Sequence, residues 1–255
     1  MRRASALLPL LLFASLFAPG SATARALTLA TLDWPPYIGH ALPGQGYAAA
    51  LAREALGRSG HEVRFVFLPW LRAVQGTRAG YHDGYIPAYA DEDQGRDVLC
   101  AGPFPGGPLA LFARAGSTLT YSGIEDLRGL RVGVVLGYKN TPVIDKTPWL
   151  DRQQAADDLT NLRKLLAGRV DVAVADVYVA AYLAPELDGG YAALRLVVVL
   201  EEKDLAVCFS TALPDHEALV RDFDRGLDAM RADGTLERLQ CAHGCAVQGG
   251  PGLRP

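Results

Sequence analysis

The chain has 255 residues, half of them hydrophobic by type, with 25 basic against 28 acidic side chains and a formal net charge of −3. That length can bury one or two sizeable cores, and the acidic balance excludes a basic nucleic-acid-binding surface. Beyond the first residues, no segment is long and apolar enough to span a bilayer.

Arg2 and Arg3 precede an apolar run from Ala4 to Ala18, and the small residues Ser21, Ala22, Ala24 and Ala26 follow. This predicts a secretory signal peptide over residues 1–26, cut after Ala24 or after Ala26. The alternative, an uncleaved anchor, calls for a longer run. Cutting after Ala24 removes two bases and no acid, which takes the net charge from −3 to −5. In an exported chain the four cysteines are candidates for disulfides. Cys241 and Cys245 are spaced to close a small local loop. His243 between them invites a metal reading, but two Cys and one His are too few for a closed zinc site. Cys100 and Cys208 can either pair across the structure or stay buried.

Residues Leu27 to Leu32 read as a first strand, ended by Asp33-Trp34-Pro35-Pro36-Tyr37, whose prolines hold Trp34 and Tyr37 in a stiff surface loop. A helix follows over Gly46 to Leu56. A strand comes next on the alternation of Val63, Phe65 and Phe67, running into Leu68-Pro69-Trp70-Leu71-Arg72. A short helix is expected over Ala73 to Arg78, and a third strand over Asp83 to Ile86. Trp34, Trp70 and Tyr85 or Tyr89 thus gather at strand ends, which suits an apolar or flat ligand face. Ala101 to Pro108, rich in Gly and Pro, breaks the pattern and reads as a crossing between lobes. A strand resumes over Leu109 to Arg114. Ser122 and Glu125 have capping-box spacing before a short helix.

Val132 to Leu136 reads as a buried strand, and Gly137-Tyr138-Lys139-Asn140 after it as a turn whose amides and lysine can hold an anion or form an ordinary connection. Leu159, Leu162, Leu165 and Leu166 repeat at helical spacing until Gly168. Val170, Val172 and Val174 alternate as a strand that ends at Asp176, and Val179 to Leu183 begins another helix. Asp176 therefore stands at the carboxyl end of a buried strand, where open α/β sheets bind ligands, or else caps the next helix. Leu194 to Leu200 is a further strand and Asp204 to Ser210 a return crossing. Leu219, Phe223, Leu227 and Met230 mark a last helix over Glu217 to Met230, ended by Gly234. Residues 246–255 read as a disordered tail. Alternating strands and helices with two crossings predict an α/β fold of two lobes.

Asp33-Trp-Pro-Pro-Tyr37, Pro69-Trp-Leu-Arg-Ala73, Gly129-Leu-Arg-Val-Gly133 and the run from Leu162 to Asp176 together resemble the periplasmic solute-binding proteins of family 3, the type II amino-acid-type binding proteins of ABC uptake systems. The resemblance spans about Leu27 to Leu239. It implies the two-lobed type II periplasmic-binding-protein fold, each lobe a mainly parallel sheet flanked by helices, joined by a two-segment hinge. Lobe 1 would comprise residues 27–107 and 206–245, and lobe 2 residues 108–205. It also implies a periplasmic monomer that clamps a small polar solute for an ABC permease, without cofactor, metal or catalysis. By resemblance, Trp34 stacks on the ligand, Asp176 accepts from its ammonium, and the turn Gly137 to Asn140 holds its carboxylate. The candidate ligand-binding set is Trp34, Tyr37, Trp70, Arg72, Tyr85, Tyr89, Arg96, Tyr138, Lys139, Asn140 and Asp176.

One departure stands out. Where family members place an Arg for the ligand carboxylate, this chain reads Ala90-Asp91-Glu92-Asp93-Gln94-Gly95-Arg96. Arg96 or Arg72 would have to compensate for three acids, so a cationic, aromatic or otherwise non-standard ligand enters consideration. Two other function classes stay open: a ligand-sensing or accessory periplasmic subunit, and a dehydratase-like enzyme on the same fold.

Overall fold

The computed structural model describes residues 24–90, 95 and 97–243. In chain order the elements are β1 (Ala26–Thr31), α1 (Tyr47–Gly57), β2 (Glu62–Phe67), α2 (Trp70–Arg78), β3 (Gly84–Tyr89), β4 (Val98–Arg114), β5 (Arg131–Val135) and α3 (Pro142–Lys146). They continue as β6 (Asp151–Ala155), α4 (Asp158–Leu166), β7 (Val172–Asp176), α5 (Val177–Leu183), β8 (Leu194–Ser210), α6 (His216–Ala232) and α7 (Thr235–His243). The strands form one sheet in the order β2-β1-β3-β8-β4-β7-β5-β6.

The architecture follows from two long strands. β4 and β8, each 17 residues, run antiparallel along their whole length, from Val98 opposite Ser210 to Arg114 opposite Leu194. One end of this ribbon completes a lobe with β3, β1 and β2, where β1 pairs parallel with both neighbours. The other end completes a lobe with β7, β5 and β6, again parallel to one another. Each lobe is thus a mixed sheet of three parallel strands and the antiparallel ribbon, a two-lobed α/β architecture.

The segments expected as crossings between lobes, Ala101 to Pro108 and Asp204 to Ser210, are parts of the long strands β4 and β8. Gly102, Pro103, Pro105 and Gly106 of the first segment sit where the ribbon shifts register, between Ala101 and Phe104 and between Phe104 and Gly107. Bulges there absorb residues that cannot donate to a regular ladder and turn the ribbon between lobes. A disulfide, Cys100–Cys208, ties paired positions of β4 and β8 at a sequence separation of 108. It closes a long loop in the unfolded chain, so reducing it should lower stability by about 2–5 kcal/mol. Chemical denaturation with and without reductant measures this, and an unchanged midpoint would show that the bond is dispensable.

The core follows strand periodicity. Along β7, Val172 and Val174 face the second-lobe cluster with Leu111, Val132 and Ile144, while Ala173 and Ala175 face the larger cluster that continues into the first lobe. α4 starts from Asp157, whose side chain accepts from Thr160 N at 2.7 Å, and ends at Gly168 in the left-handed region, φ +69. The turn at Ser122 is capped by Asp126 rather than Glu125: its carboxylate accepts the N–H of Ser122 at 2.6 Å and of Gly123 at 3.2 Å. Arg25 donates to Asp83 at 2.5 Å and to Asp215 at 3.0 Å. Cutting after Ala24 keeps that tie, whereas cutting after Ala26 removes it together with the first residue of β1.

The predicted signal peptide lies outside the described residues up to position 23, as does the tail from 244. Cys241 is described, near the end of α7, and its expected partner Cys245 is not. Among the described residues, no helix is long and apolar enough to cross a membrane and no cluster of metal-ligating side chains is present.

Candidate functional site

The candidate residues converge where the lobes meet. After β1 the chain folds back on itself in a tight loop, with Trp34 N donating to Ile38 O at 2.8 Å and Ile38 N to Trp34 O at 3.1 Å. That loop, expected at the surface, is covered by the second lobe, so that Trp34 and Tyr37 are only 5% and 4% exposed. Their rings stack at 4.6 Å and 25°. Trp34 also meets Tyr89 edge-on at 6.0 Å and Tyr138, from the opposite lobe, at 6.4 Å. Trp70 meets Tyr85 at 5.4 Å and Tyr138 at 6.5 Å, both edge-on. Tyr138 is therefore a ring of one lobe set among the rings of the other. Edge-to-face packing of this kind adds to simple burial.

Two carboxylates of the second lobe lie under these rings. Asp176 caps the next helix, as one reading of its position foresaw, and also meets the first lobe. Its Oδ1 accepts from the N–H of Tyr178 at 2.8 Å and of Val179 at 3.0 Å, capping α5, and its Oδ2 accepts from Tyr37 Oη of the first lobe at 3.0 Å. Asp158, in the first turn of α4, accepts from Tyr138 Oη at 3.1 Å. Both are buried, and burial pushes each carboxyl up to about 7; hydrogen bonds temper the rise, and Asp158 adds its repulsion to Asp176. The Nε1–H of Trp34 lies close enough to Asp158 to lower it, yet it meets no acceptor in hydrogen-bond geometry among the described residues. Tyr37 and Tyr138 are raised by burial and by these same carboxylates, so they stay protonated donors.

Leu32, Trp34, Trp70, Pro87, Tyr89, Tyr138, Lys139 and Leu205 line a partly open void of about 20 Å³, room for roughly one water. The lobes are closed on each other. The hinge strand takes part, because a Cβ on Gly107 would fall on Tyr37 Oη and on the Tyr178 ring. Gly107→Ala should therefore hold the lobes apart and raise the radius of gyration in small-angle scattering. A mutant as compact as the parent would mean that this contact does not govern closure.

Other candidates fare differently. Arg72 is exposed on α2, where Trp70, Ala73, Val74 and Thr77 take the buried face. Asn140 is buried but committed: its N–H and Nδ2 both donate to Asp145, at 2.8 Å each. Helix α3 has only five residues, and Thr141 caps it by accepting from the N–H of Ile144, so the turn over Gly137 to Asn140 leads into a short, capped helix. Lys139 lies at the exposed rim. Arg96 lies outside the described residues. Asp158 is a candidate that sequence reasoning missed; the signal available was the pair Asp157-Asp158, where one acid suffices for the cap.

The sequence matches no protein-family model. It matches no curated protein. Solved structures, in contrast, share the fold along nearly the whole chain. A histidine kinase sensor domain with similarity to periplasmic binding proteins superposes with a TM-score of 0.74 at 23% identity, over 87% of this chain and 96% of that one. An ancestral arginine-binding protein bound to arginine gives 0.71 at 21% identity, over 86% and 98%. An ancestral amino acid-binding protein, a precursor of cyclohexadienyl dehydratase, gives 0.68 at 21%, over 86% and 95%. At these identities the likeness establishes the fold.

Proposed function

We propose that the protein is an exported, periplasmic solute-binding protein that clamps a small polar solute between its lobes and presents it to an ABC permease. The observation that carries this reading is the contact across the cleft: Tyr37 of one lobe donates to Asp176 of the other, beside an aromatic-walled void. A solute entering between open lobes would meet those same groups, and closing on it would exclude water and strengthen each polar contact. The likeness to amino-acid-binding proteins supports a small ligand of that general size. Cleavage after Ala24, a monomeric state and binding without turnover belong to the same reading.

A thermal-shift screen of the mature protein against amino acids, amines, small carboxylates and aromatic solutes tests it. A ligand at a hundredfold excess over its dissociation constant stabilises by about 2.7 kcal/mol, a shift of several degrees. Recovery of the ligand unchanged would support binding over catalysis. No shift with any class would contradict the clamp. A second reading, ligand sensing, rests on the sensor-domain likeness. Deleting the gene separates the two: lost uptake of the solute indicates transport, and intact uptake with a lost response indicates sensing.

A further inference from the structure

Accepting the clamp reading, we propose that its ligand is an organic cation without a carboxylate: an amine or guanidinium carried on an apolar or aromatic body. Three independent observations point there. First, Asp158 and Asp176 are 5% and 2% exposed, at the heads of two helices of one lobe, and no basic side chain among the described residues meets either. Their partners are tyrosine hydroxyls and backbone N–H groups. Buried acids without a cation are held at a cost that an arriving cation offsets. Second, Trp34, itself 5% exposed, lines the void with the rings of Trp70, Tyr89 and Tyr138. Such rings take a cation on their faces. The chain already seats one in this way, with Lys203 Nζ 5.4 Å over the Tyr89 ring.

Third, among the described residues, the groups that could receive a ligand carboxylate are engaged elsewhere or exposed. Asn140 is spent on Asp145, Thr141 takes the N–H of Ile144 at the start of α3, Arg72 is exposed on α2, and Lys139 at the rim has its own partner. An amino acid would instead bring its carboxylate towards two acids. Burial raises both carboxyls to about 7, so a cation that binds beside them near pH 6 favours their ionised forms and releases protons.

The test is calorimetry on the mature protein with matched pairs: tyramine and tyrosine, agmatine and arginine, putrescine and ornithine. Each is run at pH 6 in buffers of different ionisation enthalpy, and again on Asp158→Asn. The expected result is that at least one amine binds tenfold or more tighter than its amino-acid partner, with proton release. Asp158→Asn should weaken that amine at least tenfold and reduce the protons released. An amino acid that binds as tightly as its amine overturns the inference and leaves the clamp standing, as does a strong neutral or anionic ligand in the thermal-shift screen. Full amine affinity in Asp158→Asn overturns it too. No binding of any class overturns the clamp reading itself.

Discussion

Raising the pH from 5 to 8 lowers the stability of the ligand-free protein by several kcal/mol, and Asp158→Asn together with Asp176→Asn removes most of that slope. Both carboxyls are raised from 3.8 in the unfolded chain to about 7 in the folded one. Between those values the folded state binds more protons than the unfolded state, so stability falls as pH rises through the window and levels off above it. A displacement of about 3 pH units corresponds to on the order of 4 kcal/mol for either carboxyl alone. The two repel each other and titrate as a pair. His61 works the other way. Burial lowers its pKa, so its contribution to stability rises with pH through the window below the usual imidazole value, which is why the asparagine variants are needed to isolate the pair. Chemical denaturation at several pH values measures the slope. Stability that is flat or rising from pH 5 to 8, with no change in the double variant, would mean that the carboxyls are not desolvated as described.

Asp176→Asn should abolish high-affinity solute binding, by two to three orders of magnitude, while the protein stays folded. Asparagine caps a helix about as well as aspartate, so the N–H groups of Tyr178 and Val179 keep an acceptor. What is lost is the charge facing the cleft. Removing one partner of a buried, hydrogen-bonded ion pair costs about 3–5 kcal/mol, which sets the expected loss. Asp176→Ala is the less clean variant, because it also removes the α5 cap, worth about 1 kcal/mol of stability. Calorimetry with the ligand found by thermal shift gives the answer, and an affinity within threefold of the parent would take Asp176 out of recognition and leave it only the cap.

Much of the fold was legible because its signals are local. The leucine spacing of α4, its stop at Gly168, the valine alternation of β7 and the boundary at Asp176 all stand in the structure. β6, Asp-Arg-Gln-Gln-Ala, gave no apolar alternation: it is an edge strand held by backbone pairing with β5 on one side only. α7 follows α6 after a two-residue break and buries only Leu236, too little for a periodic stripe. α2 begins three residues earlier than expected, at Trp70, and that start places Arg72 off the buried face.

The site was legible where chemistry and chain punctuation coincide, and hidden where tertiary contacts decide. Trp34, Tyr37 and Asp176 flank strand ends with prolines or a helix start, and they meet across the cleft. Asp158 looks like any acid favoured in a first helical turn. Only Tyr138, reaching from another turn, makes it part of the cleft. The bond between Cys100 and Cys208 was likewise undecided until β4 and β8 were seen paired along their full length.

The central claim is that one solute is held by both lobes at once. Hydrogen–deuterium exchange with and without the ligand tests it most directly. The account predicts simultaneous protection of the loop over Trp34 to Ile38 in the first lobe and of the turn at Tyr138 and the start of α5 in the second. Protection confined to one lobe, or lying away from these segments, would contradict it.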